Sequence, residues 1–211
     1  MTAAAIEVKH RGALALVMMA ATIMHALDAT IANVALPHMQ GTLSATHDQI
    51  SWVLTSYIVA SAIMTPLTGF LAGRFGRRAV FFWAVVGFTL ASMLCGAAMT
   101  LDQIVLFRAM QGAFGAALVP LSQSTLLDIY PPERHSSVMA FWGVGVMVGP
   151  IMGPTLGGWL TEEFTWRWVF YINAPVGVLA CLGIAALMPA EEPRQRPFDF
   201  TGFALLGISI A

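Results

Sequence analysis

The chain has 211 residues, of which 58% are hydrophobic and only 10% charged. Soluble domains carry roughly 25% charged residues, so the composition excludes a soluble enzyme and requires an integral membrane protein. The net charge of −1 carries little as a sum, and no nucleic-acid partner is expected.

A helix needs about 20 apolar residues to cross roughly 30 Å of hydrocarbon. Six runs qualify, at 13–36, 50–72, 79–99, 102–126, 137–160 and 167–188. The first is too long for a signal-peptide core and contains Asp28, so it reads as a retained span. The segments before and after the bundle read as a cytoplasmic N-terminus over 1–12, a charged, proline-containing linker over 189–199, and a seventh span over 200–211 that stops short at Ala211. On that count the chain is expected to be part of a longer protein.

Alternating spans place Lys9, Arg11, Arg74, Arg77, Arg78, Arg134, Arg194 and Arg196 on one side and only Arg167 on the other. Basic residues concentrate on the cytoplasmic side, so the N-terminus, the 73–78 turn, the 128–136 turn and the 189–199 linker are expected there.

The first span carries Thr22, His25 and Asp28 at intervals of three, hence on one helix face. A carboxylate inside a membrane is costly. Asp28 is expected in the outer third of the span, facing a watery cavity as a proton- or cation-binding group, with helix-end snorkelling as the alternative. His25, one turn away, could tune its protonation. The second span ends in GFLAGRFGRR over 69–78. Gly73 and Gly76 permit a tight turn, while Arg74, Arg77 and Arg78 anchor it.

In the fourth span, Arg108 lies about six residues inside the outer boundary, with Gly112 and Gly115 on its face and Gln111 beside it. A buried arginine there normally faces the bundle interior and pairs with an acid or a carbonyl, with snorkelling to the interface as the alternative. Asp128, at the far end, is placed to meet the arginines of the 73–78 turn.

The fifth span contains GVGVMVGPIMGPTLGG over 143–158. Gly145, Gly149, Gly153 and Gly157 recur every fourth residue, and Pro150 and Pro154 follow at the same interval. Glycine at this spacing lets another helix approach closely, and each proline removes a backbone donor, so the helix is expected to bend. Spacing alone fits either a packing surface or a gate. Past it, Trp166, Trp168 and Tyr171 read as an interfacial aromatic belt, and Asn173, Pro175 and Gly177 put polarity and a kink inside the sixth span.

Cys95 and Cys181 lie in apolar runs and read as buried free thiols. There is no CxxC pair, HExxH, Walker loop or GxSxG motif. Neither an enzyme nor a metal or other cofactor is expected, and an ATP-driven pump is disfavoured.

Together these motifs resemble the major facilitator superfamily, and within it the EmrB/QacA branch of fourteen-span drug:proton antiporters. The resemblance rests on LDATIANVALP at 27–37, GFLAGRFGRR at 69–78, FRAMQGAFGAA at 107–117, the fifth-span stretch ending GPIMGPTLGG, and WRWVFYINAPVG at 166–177. It implies an all-α membrane protein, the N-terminal six-helix bundle of the major facilitator fold, built from two inverted three-helix repeats. It implies coupling and substrate roles for Asp28 and Arg108, with His25 and Gln111 beside them. Gly145, Gly149, Pro150, Gly153, Pro154, Gly157 and Gly158 match the antiporter helix. Gly69, Arg74, Gly76, Arg77, Arg78 and Asp128 match the cytoplasmic turn motif. Gly73 stands where many members have an acid, which puts the contact of this turn with the opposite bundle in doubt.

The implied activity is proton-coupled export of small amphipathic drugs from the inner membrane. A periplasmic adaptor and an outer-membrane channel are the implied partners. A metabolite transporter of the same fold and a truncated, non-transporting membrane fragment are the competing readings.

Overall fold

A computed structural model describes residues 10–190. The linker and seventh-span expectations beyond residue 190 lie outside the described residues. Six long apolar helical stretches account for the six expected spans. The first three are α1 (Arg11–Thr42), α2 (His47–Phe75) and α3 (Arg77–Ala97). The fourth is α4 (Leu101–Gly115) continued by α5 (Leu118–Ile129). The fifth is α6 (His135–Glu163), entered through a short 3-10 turn at Pro132–Arg134. The sixth is α7 (Trp168–Tyr171) continued by α8 (Asn173–Leu187).

Local chemistry explains the boundaries. Thr46 and Gln49 form a reciprocal capping box at the start of α2, which satisfies two otherwise orphaned donors. Thr100 caps α4 by accepting from the Gln103 amide. Gly76, between α2 and α3, has φ 84°, a conformation that glycine adopts without steric cost. The interruptions in spans four and six share a cause. Pro120 and Pro175 each sit at the third residue of the following helix. A proline ring clashes with the carbonyl four residues back, here Ala116 and Tyr171, next to each break. The fifth span, by contrast, runs as one helix through Pro150 and Pro154.

Packing follows an inverted repeat. The two most extensive interfaces are α1 with α6 and α2 with α4, so span one meets span five and span two meets span four. Exchanging the first three spans with the last three maps one interface onto the other. Each interface has a point where a glycine lies against backbone. Gly149 faces the Ala26–Leu27 peptide, and Gly112 faces the Tyr57 carbonyl. Spans three and six repeat the symmetry through arginines. Arg78, at the start of α3, donates to the Ala185 carbonyl near the end of α8 at 2.5 Å. Arg167, before α7, donates to the Gly96 and Ala98 carbonyls at the end of α3, both at 2.6 Å. A cation near a helix C-terminus satisfies orphan carbonyls and opposes the dipole. Arg167, the one arginine expected on the sparse side, is therefore a helix cap.

The core divides into two apolar clusters. One includes Leu14, Met18, Met24, Phe81, Phe88, Leu118, Leu126 and Ile184. The other includes Ile31, Met39, Ile50, Val53, Cys95, Ile104, Leu160 and Phe170. Between them on every contributing span lies a polar layer: Asp28 on α1, Ser92 on α3, Arg108 and Gln111 on α4, and Asn173 on α8.

Three expectations change. α1 extends to Thr42, so Asp28 lies mid-helix rather than in the outer third. Asp28 is wholly buried rather than facing a watery cavity, because three spans close over it. Trp166 is also buried, packed edge-on against Phe170. The aromatic belt therefore keeps only Trp168, which is exposed, and the half-buried Tyr171.

Candidate functional site

The polar layer is one connected network. Asp28 Oδ2 accepts from Arg108 Nη1 at 2.6 Å. Asp28 Oδ1 accepts from Gln111 Nε2 at 2.8 Å and from Asn173 Nδ2 at 2.9 Å. Arg108 Nε donates to the Val53 carbonyl at 3.2 Å, and Nη1 also reaches Gln111 Oε1 at 2.8 Å. The guanidinium carbon lies 4.1 Å from the Tyr57 ring centroid and 5.7 Å from that of Phe170. Arg108 Nη2 is buried with no hydrogen-bond partner among the described residues; the two aromatic faces are its compensation, since a ring face attracts a cation. Behind Asp28, Asn173 Nδ2 also donates to Ser92 Oγ at 2.9 Å, and Ser92 donates to the Phe170 carbonyl at 2.8 Å.

The local folding of each span delivers these groups. The close crossing at Gly112 brings α4 against α2, which puts Arg108 within reach of Val53 and Tyr57. Arg108 and Gln111 are three residues apart, so one helix face presents both to Asp28. The break at Ile172 makes Asn173 the first residue of α8, at the level of the acid. The desolvation of a buried ion pair is offset only when further hydrogen bonds hold its polar atoms, and here four spans hold all of them but Arg108 Nη2.

His25 does not hydrogen-bond Asp28. Its Nδ1 lies 3.0 Å from the Tyr57 hydroxyl, so its link to the acid runs through the ring that covers Arg108. Thr22 faces another way: it donates to the Met18 carbonyl and accepts from Trp142 Nε1.

The glycine stripe of the fifth span is a packing surface against α1. Gly145, Gly149, Gly153 and Gly157 are buried and face Met19, Ala26, Thr30 and Ile31. Thr30 Oγ1 lies 3.1 Å from the Gly149 carbonyl across the interface. Gly158 is off the stripe, with open space where a side chain would project. Pro150 and Pro154 are exposed, off the stripe.

In the turn motif, Arg77 pairs with Asp128, joining the start of α3 to the end of α5. Arg78 caps α8. Arg74 is exposed, 5.8 Å from the Phe75 ring, and Gly69 meets no neighbour. Among the described residues no three His, Cys, Asp or Glu side chains converge to hold a metal ion.

Tyr57, Ser92 and Asn173 belong to the network but were not singled out as site residues from sequence. Asn173 and Ser92 carried a signal, each a polar residue inside an apolar run. Tyr57 carried none, since an aromatic residue in a span is ordinary.

The family model described as Major Facilitator Superfamily matches residues 18–209. The chain belongs to the major facilitator superfamily. It is 44% identical over 192 residues to the multidrug export protein EmrB of Escherichia coli, covering 90% of this chain and 38% of that protein. Its similarity to the fatty acid resistance protein FarB of Neisseria gonorrhoeae is the same in identity and coverage. The chain thus spans well under half the length of these relatives. Among solved structures, the xylose transporter XylE of E. coli, in a partially occluded inward-open conformation, superposes with a TM-score of 0.75 at 14% identity, covering 86% of this chain and 50% of that one. The last similarity speaks to the fold alone.

Proposed function

We propose that these residues form the N-terminal bundle of a proton-coupled exporter of small amphipathic drugs, in which Asp28 is the proton-binding group and Arg108 its counter-charge. The observation that carries the reading is a fully buried acid–arginine pair at the junction of spans one, four and six. Ionisable groups in a membrane interior are costly and tend to mark ion or proton pathways. The similarity to EmrB and FarB supports the choice of substrate class.

The chemistry follows from the network. Charged Asp28 neutralises Arg108 and accepts donors from α4 and α8. A proton on Asp28 removes the neutralising charge, and Arg108 is then buried without a counter-ion. A conformation that offers Arg108 another anion, a carbonyl or water is favoured in that state. Proton binding thereby acquires different affinity in two conformations, which any ligand-driven switch requires. The glycine crossings at Gly149 and Gly112 are the contacts along which spans one and five, and two and four, shift. Span five acts as the gate, and Arg77 with Asp128 stabilises one conformation at the end bearing the turn.

The excess of basic residues around the N-terminus and the 73–78 and 128–136 turns assigns that side to the cytoplasm, with the protein in the inner membrane. By likeness to EmrB, an adaptor and an outer-membrane channel complete the route.

The test is drug-induced proton release from acid-loaded inverted vesicles made from a drug-sensitive strain, using the transporter that carries these residues. Wild type is expected to release protons on drug addition. Asp28→Asn and Arg108→Ala, compared with wild type at matched amounts of inserted protein, are expected to release none. Wild-type release by either variant rejects its assignment. Substrate uptake driven by an inward proton gradient, in place of release, supports the metabolite symporter.

A further inference from the structure

The coupling scheme above uses Asn173 only as a donor to charged Asp28 and gives it no part once the acid is protonated. Among the described residues it makes the hydrogen bond from span six to the acid. We propose that Asn173 is a positioning residue for Asp28, a reversible amide that serves the carboxyl group in both protonation states, with Ser92 as its pivot. The proposal rests on Asp28 being the group that exchanges protons.

An ionised carboxylate only accepts hydrogen bonds, and a neutral one must also donate. Asp28 now accepts from Arg108, Gln111 and Asn173. When a proton from the aqueous phase adds to Asp28 Oδ1, the new O–H needs an acceptor. Arg108 has only donors. Gln111 has an acceptor, but its Oε1 already takes Arg108 Nη1 at 2.8 Å and the Cys95 thiol at 3.7 Å. Turning Gln111 over would aim its NH₂ at the guanidinium, donor against donor.

Asn173 has no such lock. Its Nδ2 is shared between Asp28 and Ser92, each 2.9 Å away. Ser92 is a hydroxyl, able to donate or accept. Rotation of the Asn173 amide by half a turn presents Oδ1 to the Asp28 O–H. Ser92 then turns its own proton from the Phe170 carbonyl toward the same oxygen. No bond to carbon forms or breaks, and the one proton added resides on Asp28.

The surroundings leave this task to Asn173. The ionisable groups near Asp28 are Arg108 on α4, Tyr57 on α2, Cys95 on α3 and His25 on α1. Tyr57 is engaged with His25, and Cys95 with Gln111. α8 contributes an uncharged amide at the first residue after a helix break, where the backbone is least constrained by the ladder before it. The proton on Asp28 is thus read directly by span six.

The experiment is a pH titration by infrared difference spectroscopy of the purified transporter that carries these residues, in lipid nanodiscs. The protonated Asp28 carbonyl stretch is identified by its loss in Asp28→Asn. In Asn173→Ala the band is expected at about tenfold lower proton concentration, because the hydrogen bond lost from the charged form is stronger than the one lost from the neutral form. It is also expected at higher frequency, because the neutral acid has lost its acceptor. Asn173→Ser, which keeps a donor–acceptor hydroxyl, is expected to return most of the way to wild type. Ser92→Ala, which leaves Asn173 in place, is expected to shift the titration in the same direction by less.

A folded Asn173→Ala protein with wild-type frequency and titration overturns the proposal. Should that variant not fold, an unmoved titration in Ser92→Ala overturns it instead. A wild-type Asp28 band that titrates but ignores both substitutions refutes the role of Asn173 alone. Absence of any Asp28 band in wild type refutes proton exchange at Asp28, and this proposal with it.

Discussion

Arg108 and Asp28 meet with both side chains wholly buried, whereas Arg77 and Asp128 meet with side chains 23% and 42% exposed. Each pair is an arginine with an aspartate, and each ties two spans together. The surroundings separate them. At the exposed pair, water and salt compete for both charges, so separating them costs little. At the buried pair nothing replaces a lost partner, and removing one side strands the other charge in an apolar medium. The buried pair therefore suits a switch thrown by a proton, and the exposed pair suits a latch that opens and closes readily.

The sharpest way to break the contrast is to remove one buried charge. Arg108→Ala is expected to destabilise the bundle by roughly 3–5 kcal/mol, read from unfolding in detergent. Asp28→Asn combined with Arg108→Leu is expected to recover much of that stability without recovering proton-coupled export. A destabilisation no larger than that of Asp128→Asn would erase the distinction.

A smaller effect is expected where the buried pair depends on close helix approach. Gly112→Ala places a methyl group against the Tyr57 carbonyl, and Gly149→Ala places one against the Ala26–Leu27 peptide. Backbone cannot step aside as a side-chain tip does, so each is expected to cost about 1–3 kcal/mol. Gly145→Ala meets only the Met19 side chain, with its flexible thioether, and is expected to cost less than either. Gly158→Ala, with open space at its Cβ position, is expected to be neutral or slightly stabilising.

Next is Arg167→Ala, which removes two donors from the end of α3. The loss is expected at about 1–3 kcal/mol, since the freed carbonyls belong to the buried residues Gly96 and Ala98. Faster amide hydrogen exchange over Gly96–Ala98 would report it. The smallest effect is expected for Asp128→Asn, at about 1 kcal/mol or less and diminishing in high salt. A salt-independent loss there would show that this pair is desolvated after all.

Much of the bundle is legible in the chain itself. Apolar run length sets six spans because the bilayer sets a length, and all six occur where expected to within a few residues, apart from the extension of α1 to Thr42. The four-residue glycine period indicates a helix contact, and α1 is the helix found there. Asp28 and Arg108 stand out because charge in an apolar run needs a reason. What sequence left open was the partner. A packing stripe and a gate share one spacing, so Gly145–Gly157 could not be told apart by pattern. Asp28 appeared near a helix end because α1 continues past Pro37 to Thr42, through a residue that usually signals a stop.

The sequence by itself determined the class of protein, the six spans of the described residues, and which of their charges lie in the membrane. These follow from local quantities: transfer cost, helix period and residue type. Only the tertiary structure decided that Asp28 is sealed off, that Asn173 reaches it from 145 positions away and is itself met by Ser92, 81 positions from it in the chain, and that Arg167 and Arg78 cap each other's helices. Those contacts depend on which helix faces which. Helix pairing is a non-local property, fixed when the glycine crossings let two backbones approach and the polar groups between them find mutual partners.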